Sequence, residues 1–281
     1  MNTVNQAPET ISSIQGIIST IQNKSVDAEI IIEDTRRLIS EIDGAIKAWQ
    51  TLNWDHVSKQ LDFLVSRQNW RFLPLASVPI AVKDVYDTAD FVTTYGSTIY
   101  ENHRPSTDAK LVAILRSLGA IVVGKTVTTE FAYWQPGPTV NPYNTRHTPG
   151  GSSSGSAAAV SCGMVPLALG SQTAASIIRP ASYCGIYGFK PSYGVLPLEG
   201  VKPLAPSLDH AGFLARSVED IKICFTAVLD HEHFSQNSAT LIEKPLSDLT
   251  VTKLSGGWEM ILQKECQQAV DDCLASAISQ G

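Results

Sequence analysis

Apolar residues recur at three- and four-residue spacing in the first fifty positions of the chain. Ile14, Ile17 and Ile18 fall on one side of a helix at this spacing. The pattern predicts one helix over residues 10–22 and a second over residues 28–49. We expect both helices to cover one edge of the fold.

Short, continuous apolar runs replace the helical spacing from residue 78 onward. Three of them, at residues 78–82, 120–123 and 165–169, predict buried strands. Helical spacing over residues 108–118 separates the first two runs, and the small, Ala-rich residues 155–162 predict a helix packed tightly against a sheet. This alternation of helices with buried strands predicts an α/β fold, in which a sheet carries helices on its faces.

The composition is that of a soluble globular protein, with 43% hydrophobic and 17% charged residues among 281. The net charge of −6 is spread without acidic or basic blocks, which argues against a nucleic-acid partner. The polar residues 1–9 lack the basic and apolar parts of a secretory signal, and no apolar run reaches membrane-spanning length. We therefore expect a cytoplasmic protein that does not contact a membrane.

Cysteine and histidine spacing predicts neither a disulfide framework nor a metal site. The five cysteines are odd in number and lack CxxC spacing, so we expect reduced thiols packed as small hydrophobes. His231-Glu-His233 lacks the i, i+4 spacing of a helical zinc pair. No metal and no cofactor are expected.

Two short motifs match known patterns, but their surroundings do not. Residues 119–126 satisfy the phosphate-loop pattern G-x-x-x-x-G-K-[ST], yet their four middle residues are a predicted strand where a loop is required. Residues 151–155 satisfy the nucleophile-elbow pattern G-x-S-x-G, yet Thr148-Pro-Gly precedes them instead of a strand. Both interpretations are therefore disfavoured.

Two Gly-rich stretches carry clusters of serine, GGSSSGS at residues 150–156 and GSQTAAS at residues 170–176. Small residues on tight loops bring backbone N–H groups close to a ligand, and a hydroxyl beside them can act as a nucleophile next to its own oxyanion hole. In isolation the first stretch would be interpreted as a flexible linker. It runs into AAAV at residues 157–160 and then into an apolar strand, so it belongs inside a packed domain.

The residues around these loops resemble those of the amidase signature family. The resemblance covers residues 78–230 in the family's order, far more than a short motif would match by chance. Its segments are PIAVKD at residues 79–84, TYGS at 94–97, GKT at 124–126, TEF at 129–131, PGGSSSGSAAA at 149–159, GSQTAASIIRP at 170–180, CG at 184–185, GFKP at 188–191 and SLD at 207–209.

The resemblance implies an α/β/α sandwich with a mixed central sheet and a Ser-Ser-Lys triad. Ser176 is implied as the nucleophile that forms an acyl-enzyme, and Lys83 as the base. Ser152 is implied as the bridging serine, with a cis peptide bond to Gly151. A lysine acts as a base only when it is neutral, and burial between two hydroxyls, away from carboxylates, lowers its pKa. Ser152 would then carry the proton from Ser176 to Lys83.

An oxyanion hole is implied at the second serine loop. The N–H groups of four successive residues would bind the oxyanion: Thr173, Ala174, Ala175 and Ser176. The family usually has glycine where this chain has Ala175, and alanine would strain the loop if its φ is positive. Arg179, three residues past Ser176, either clamps a substrate carboxylate or braces the loop through a buried salt bridge.

Family members usually continue well beyond the length of this chain. Residues 1–281 are predicted to form a single amidase domain, with N-terminal helices over residues 1–70 and the signature core over residues 71–230. Residues 231–281 resemble the start of the family's C-terminal half, so the predicted fold is incomplete at its C-terminus.

The favoured function is hydrolysis of the C–N bond of a small amide or ureido acid through a Ser176 acyl-enzyme. Residues 170–179 resemble the branch of the family that acts on small amides and on ureido acids such as allophanate. Two alternatives stay open: an inactive truncated remnant or interaction subunit, and an A-type subunit of a tRNA-dependent amidotransferase. The expected partner is a small amide substrate, and a homodimer is the assembly considered.

Overall fold

The isoleucine stripe at the start of the chain forms helix α1 (Ile14–Gln22), and the second stripe forms α2 (Ala28–Ile46). This computed structural model describes residues 13–231, 248, 250, 253, 256 and 262–279. Residues 10–12 of the first predicted helix lie outside them. Helix α2 ends three residues before the predicted end because Lys47 adopts the left-handed conformation, with φ 59° and ψ 46°.

Six strands form one mixed sheet in the order β1-β3-β2-β4-β6-β5. They are β1 (Trp49–Leu52), β2 (Pro79–Lys83), β3 (Ile121–Thr126), β4 (Leu167–Gln172), β5 (Tyr187–Phe189) and β6 (His210–Ala215). Strand β2 is parallel to β3 and to β4, and the other neighbours pair antiparallel. The predicted α/β class with a mixed sheet is confirmed, and the three predicted strands correspond to β2, β3 and β4.

The register between β2 and β4 positions the serine loop. Val82 lies opposite Leu169, so the next residues, Lys83 and Gly170, lie side by side where both parallel strands approach their carboxyl ends. Lys83 and the residues that follow Gly170 therefore reach the same edge of the sheet.

The remaining helices are α3 (Trp54–Ser66), α4 (Lys110–Ser117), α5 (Ser154–Ser161), α6 (Ile178–Tyr183), α7 (Val218–Leu229) and α8 (Lys264–Ser279). Short 3-10 turns lie at Trp70–Phe72, Thr98–Tyr100 and Glu130–Ala132. No described helix is both long and apolar enough to cross a membrane. Because residues 121–126 form strand β3, the phosphate-loop match does not lie on a loop.

Helix α5 is buried along its whole length. A side chain on Gly155 would place its Cβ 2.2 Å from the carbonyl oxygen of Ala48 and 2.5 Å from the nitrogen of Val127. The Gly155 N–H itself donates to the Val127 carbonyl at 2.9 Å. The small residues of this segment therefore let the helix backbone approach its neighbours directly, as its Ala-rich composition predicts.

The described residues divide into two compact units, with the boundary between residues 236 and 237. In the second unit, α8 buries none of its residues. Cys266 and Cys273 on it are exposed, so the prediction of packed thiols is wrong for these two, because this helix has no buried face. The other three cysteines are buried: Cys162, Cys184 and Cys224. His233 and the first residues of the helix predicted over 259–279 lie outside the described part.

Candidate active site

Lys83 ends strand β2 and is fully buried. Its ammonium nitrogen Nζ donates to Ser152 Oγ at 2.7 Å and to Ser171 Oγ at 2.9 Å. A third contact reaches the Ser171 carbonyl oxygen at 3.3 Å. Lysine and two hydroxyls thus meet where the two serine loops come together.

Burial lowers the pKa of Lys83 well below its usual value, because desolvation penalises the charged ammonium. The negative charge of Asp209 opposes this shift, but desolvation is the larger effect. The direct contacts of Lys83 Nζ are hydroxyl and carbonyl oxygens. A lysine in this environment loses its proton more readily than one in water, as a general base must.

Ser152 lies just before α5, and its peptide bond to Gly151 is cis. Hydrogen bonds hold the carbonyl groups of both Gly151 and Ser152. The Gly151 carbonyl accepts two bonds from Arg179, and the Ser152 carbonyl accepts one from the N–H of Thr129 at 3.2 Å. These bonds position the Ser152 hydroxyl against Lys83.

Ser176 lies on the loop between β4 and α6 and is 8% exposed. Its carbonyl accepts a bond from the Ser153 N–H at 3.2 Å, which ties the second serine loop to the first. Within the described residues, its hydroxyl has no hydrogen-bond partner. The structure therefore brings Lys83 and Ser152 into direct contact and leaves the Ser176 hydroxyl without a hydrogen bond among the described residues, on a loop tied to Ser153.

The loop of residues 173–176 presents a row of free amides. None of its four N–H groups donates to another residue in the part of the chain that the structure describes. Gln172 holds the loop from behind, since its side-chain oxygen accepts from the N–H groups of Ile177 at 2.8 Å and Ile178 at 3.0 Å. Unpartnered N–H groups beside a free hydroxyl are the arrangement that an oxyanion hole requires.

Asp209 anchors the other end of this loop. One of its carboxylate oxygens accepts a hydrogen bond from the Thr173 hydroxyl. The other accepts from the N–H groups of Leu204 at 2.8 Å and Ala205 at 2.9 Å. Asp209 thus joins the loop of residues 173–176 to residues 204–205.

The non-glycine residues with positive φ in the described chain do not include Ala175. The concern that alanine strains this loop therefore does not apply, because alanine carries no steric penalty at negative φ. We expect Ala175→Gly to give no gain in kcat, and to lower the stability by about 0.5–1 kcal/mol through the greater freedom of glycine in the unfolded chain. Steady-state kinetics and thermal unfolding of the variant check this, and a kcat above that of the wild type would contradict it.

Arg179 is exposed and lies in helix α6. Its Nε and Nη2 atoms both donate to the Gly151 carbonyl oxygen, at 3.0 and 2.7 Å. It thus braces the first serine loop, by bonds to a carbonyl and not by the buried salt bridge considered from the sequence. The Nε and Nη2 edge of the guanidinium is therefore already used for hydrogen bonds within the protein.

A second buried lysine lies behind the site. Lys125 Nζ pairs with a carboxylate oxygen of Asp84 at 3.0 Å and also donates to the Tyr86 carbonyl and the Thr93 hydroxyl, each at 2.6 Å. Its neighbours are thus a carboxylate and oxygens that do not belong to the serine loops. Lys125 holds the turn that follows Lys83 and does not contact the site serines.

A cleft of about 370 Å³ opens beside Ser171 and Thr173, while Lys83, Ser152 and Ser176 are not among its lining residues. Its lining includes Ser171, Thr173, Asp209 and Lys202. The volume is in the range that accepts a small molecule.

Sequence reasoning missed the roles of two site residues. Ser171 supplies a second hydroxyl to Lys83, and Gln172 holds the loop of residues 173–176. Both lie inside the second serine stretch, so their positions were available from the sequence. Their roles depend on where strand β4 ends against β2, which local pattern does not determine.

Comparison with known proteins identifies the family of this chain. The profile of the Amidase family matches residues 31–281. The A subunit of the glutamyl-tRNA(Gln) amidotransferase of Exiguobacterium sibiricum is 37% identical over 236 residues, which are 81% of this chain and 48% of that protein. Its counterpart from Halalkalibacterium halodurans is 36% identical over 247 residues, covering 84% and 51%. The chain spans about half the length of these curated relatives.

Solved structures share the fold. The peptide amidase from Stenotrophomonas maltophilia superposes with a TM-score of 0.75 at 32% identity, over 84% of this chain and 52% of that one. The urea amidolyase of Kluyveromyces lactis superposes with a TM-score of 0.72 at 33% identity, over 78% of this chain and 14% of that one. With a family profile over most of its length and the same fold in these enzymes, the chain belongs to the amidase signature family.

Proposed function

We propose that this chain carries the acylation machinery of an amidase that hydrolyses the C–N bond of a small amide or ureido acid. Ser176 Oγ attacks the amide carbonyl carbon, Ser152 takes up its proton, and the Ser152 proton passes to neutral Lys83 Nζ. The oxyanion that forms is held by the N–H groups of residues 173–176.

Collapse of this tetrahedral intermediate breaks the C–N bond. Ser152 protonates the departing nitrogen and is itself reprotonated by Lys83, which leaves an acyl ester on Ser176. Water then adds to the ester as the relay again accepts a proton. Breakdown of the second intermediate releases the carboxylic acid and restores the Ser176 hydroxyl.

The observation that carries this proposal is the buried contact between Lys83 Nζ and Ser152 Oγ at 2.7 Å, next to four free amides. Burial lowers the pKa of Lys83, which favours the neutral, proton-accepting form. Ser176 supplies the hydroxyl that has no other partner in the described chain.

Sequence similarity favours a second candidate function. The curated relatives named above are A subunits of glutamyl-tRNA(Gln) amidotransferases, and they share over a third of their aligned residues with this chain. In that case the amide cleaved would belong to a small donor, and the ammonia would be used by a partner. The choice of a small amide, an acid clamp at Arg179, a cytoplasmic location and a homodimer all stay predictions.

A fluorophosphonate probe tests the acylation machinery directly. We expect the 281-residue chain to gain one phosphonyl group, with loss of fluoride, and the label to map to Ser176 by mass spectrometry. Ser176→Ala removes the label, whereas Ser192→Ala, at an exposed serine, keeps it.

Two outcomes would contradict the proposal. One is a folded wild-type protein that takes no label, which is the result expected of an inactive remnant. The other is a label that survives in Ser176→Ala. Ammonia release from glutamine, compared with release from short ureido acids, then separates the amidotransferase function from small-amide hydrolysis.

A further inference from the structure

Lys202 lines the same cleft as Ser171 and Thr173. Its Nζ lies over three aromatic rings, at 5.2 Å from the centre of Tyr95, 5.0 Å from Tyr100 and 5.9 Å from Phe131. The side chain is partly buried. The aromatic cluster thus holds a cation at the wall of the candidate substrate cleft.

The charge on Lys202 is not neutralised within the described part of the chain. No carboxylate lies within ion-pair distance of it there, and its one hydrogen bond is a long one, 3.4 Å to the Tyr100 hydroxyl. The faces of aromatic rings stabilise a cation through their quadrupoles, but they carry no net charge. The Lys202 side chain is therefore held in place without a carboxylate partner in the described chain and keeps free N–H donors.

Asp209, the other charged residue that lines this cleft, is fully engaged. Its two carboxylate oxygens accept bonds from the Thr173 hydroxyl and from the N–H groups of Leu204 and Ala205. Lys202 and Asp209 are the charged residues of this lining, and they differ because both Asp209 oxygens already accept hydrogen bonds whereas Lys202 keeps free N–H donors in the described chain. The cleft therefore offers a ligand the N–H donors of Lys202.

Two other residues of the cleft lining belong to the second serine stretch. The Ser171 hydroxyl accepts a hydrogen bond from Lys83 Nζ, and Thr173 carries the first of the free amides. The wall of one cleft therefore holds both Lys202 and Thr173, the residue that carries the first of these amides. A cleft of about 370 Å³ fits a molecule of a few carbon atoms.

We propose that Lys202 binds a carboxylate on the substrate, so that the preferred substrates are short amides carrying an acid group. This inference rests on the proposed function. Arg179 is another basic residue near the serine loops, but its Nε and Nη2 edge is already bonded to the Gly151 carbonyl. A carboxylate therefore finds free donors at Lys202.

The test compares malonamate, which carries a carboxylate, with the neutral malonamide. In Lys202→Met the aliphatic stem is kept and the charge is lost, so we expect KM for malonamate to rise by about 10- to 100-fold while the kinetics with malonamide stay unchanged. Lys202→Arg should restore much of the preference for the acid. The exposed Lys59→Met is the control for the loss of a lysine elsewhere.

Direct binding provides a readout that does not need turnover. Three proteins are titrated with malonamate by calorimetry. They are the single variant Ser176→Ala and the two double variants that add Lys202→Met or Arg179→Gln to it. A loss of affinity in the Lys202 combination alone supports the proposal. Equal affinity with and without Lys202→Met overturns it, and so does a loss confined to Arg179→Gln, which would assign the carboxylate to Arg179.

These measurements also separate the two proposals. Failure of the fluorophosphonate to label Ser176 would overturn the catalytic proposal, while malonamate binding to Ser176→Ala would still report on Lys202. If Lys202→Met lost equal activity toward malonamate and malonamide and also had a lower Tm, Lys202 would only support the aromatic cluster. That result would overturn the inference.

Discussion

Replacing Lys83 by methionine lowers the rate of Ser176 acylation by about 10⁴-fold or more, the loss expected when the base of a coupled catalytic unit is removed. Methionine matches the length of the lysine stem but cannot accept a proton. His210 does not replace it, because that ring contacts the Leu208 carbonyl at 2.7 Å and packs edge-on against Tyr193. Stopped-flow measurement of phosphonylation or acylation checks this result.

The pH dependence of the same reaction follows from the lowered pKa of Lys83. Only the neutral lysine accepts a proton, so the acylation rate of the wild type should rise with pH through this lowered pKa and then level off. Lys59→Met, at an exposed lysine, should show the wild-type rate and pH profile. A histidine-like limb that disappears in His147→Ala or His210→Ala would contradict the assignment of Lys83 as the base.

Stability should change with pH in a way that identifies the same group. Because the folded-state pKa of Lys83 is lowered, the unfolded chain binds one more proton between that pKa and about 10.4, the usual value for lysine. The stability contributed by Lys83 therefore rises with pH through this window. The Tm of Lys83→Met should therefore fall progressively relative to that of the wild type as the pH is raised. A Tm difference that does not change with pH would contradict the lowered pKa.

Gly155→Ala is expected to destabilise the fold by about 3 kcal/mol, lowering Tm by about 6–12 °C. The new Cβ would lie 2.2 Å from the Ala48 carbonyl oxygen and 2.5 Å from the Val127 nitrogen, both of which are backbone atoms. Neither can rotate away, so α5 must move. Since Ser152 lies just before α5, the variant should also lose phosphonylation at Ser176.

Gly44→Ala is the matched control. Gly44 is an exposed residue in α2, and nothing lies within 4 Å of an added Cβ. Alanine is favoured over glycine in a helix by about 0.5–1 kcal/mol, so this variant should melt at a slightly higher temperature. Calorimetry of both variants checks the pair, and a Gly155→Ala protein as stable as the wild type would show that α5 is not tightly confined.

The fold elements that the sequence predicted are those with a strong local period. The isoleucine stripe of α1 and the apolar runs of β2 and β3 are buried. Their hydrophobic pattern predicts these elements without knowledge of the segments that pack against them. Strands β1 and β6 were not predicted. Their residues, WQTL at 49–52 and HAGFLA at 210–215, lack clear alternation and become strands by antiparallel pairing with β3 and β4.

For the candidate site, the sequence by itself determined the chemistry available: two serine loops, a lysine at the end of a buried strand and a familiar order of segments. The tertiary structure alone decided what these groups contact. Lys83 and Ser152 are 69 residues apart in the chain, and Lys83 and Ser171 are 88 apart. Likewise, the bonds of Arg179 to Gly151, the φ of Ala175 and the aromatic cluster under Lys202 depend on how loops close in space. Local sequence sets backbone preference and burial, whereas these contacts form only when the register of the sheet brings distant segments together.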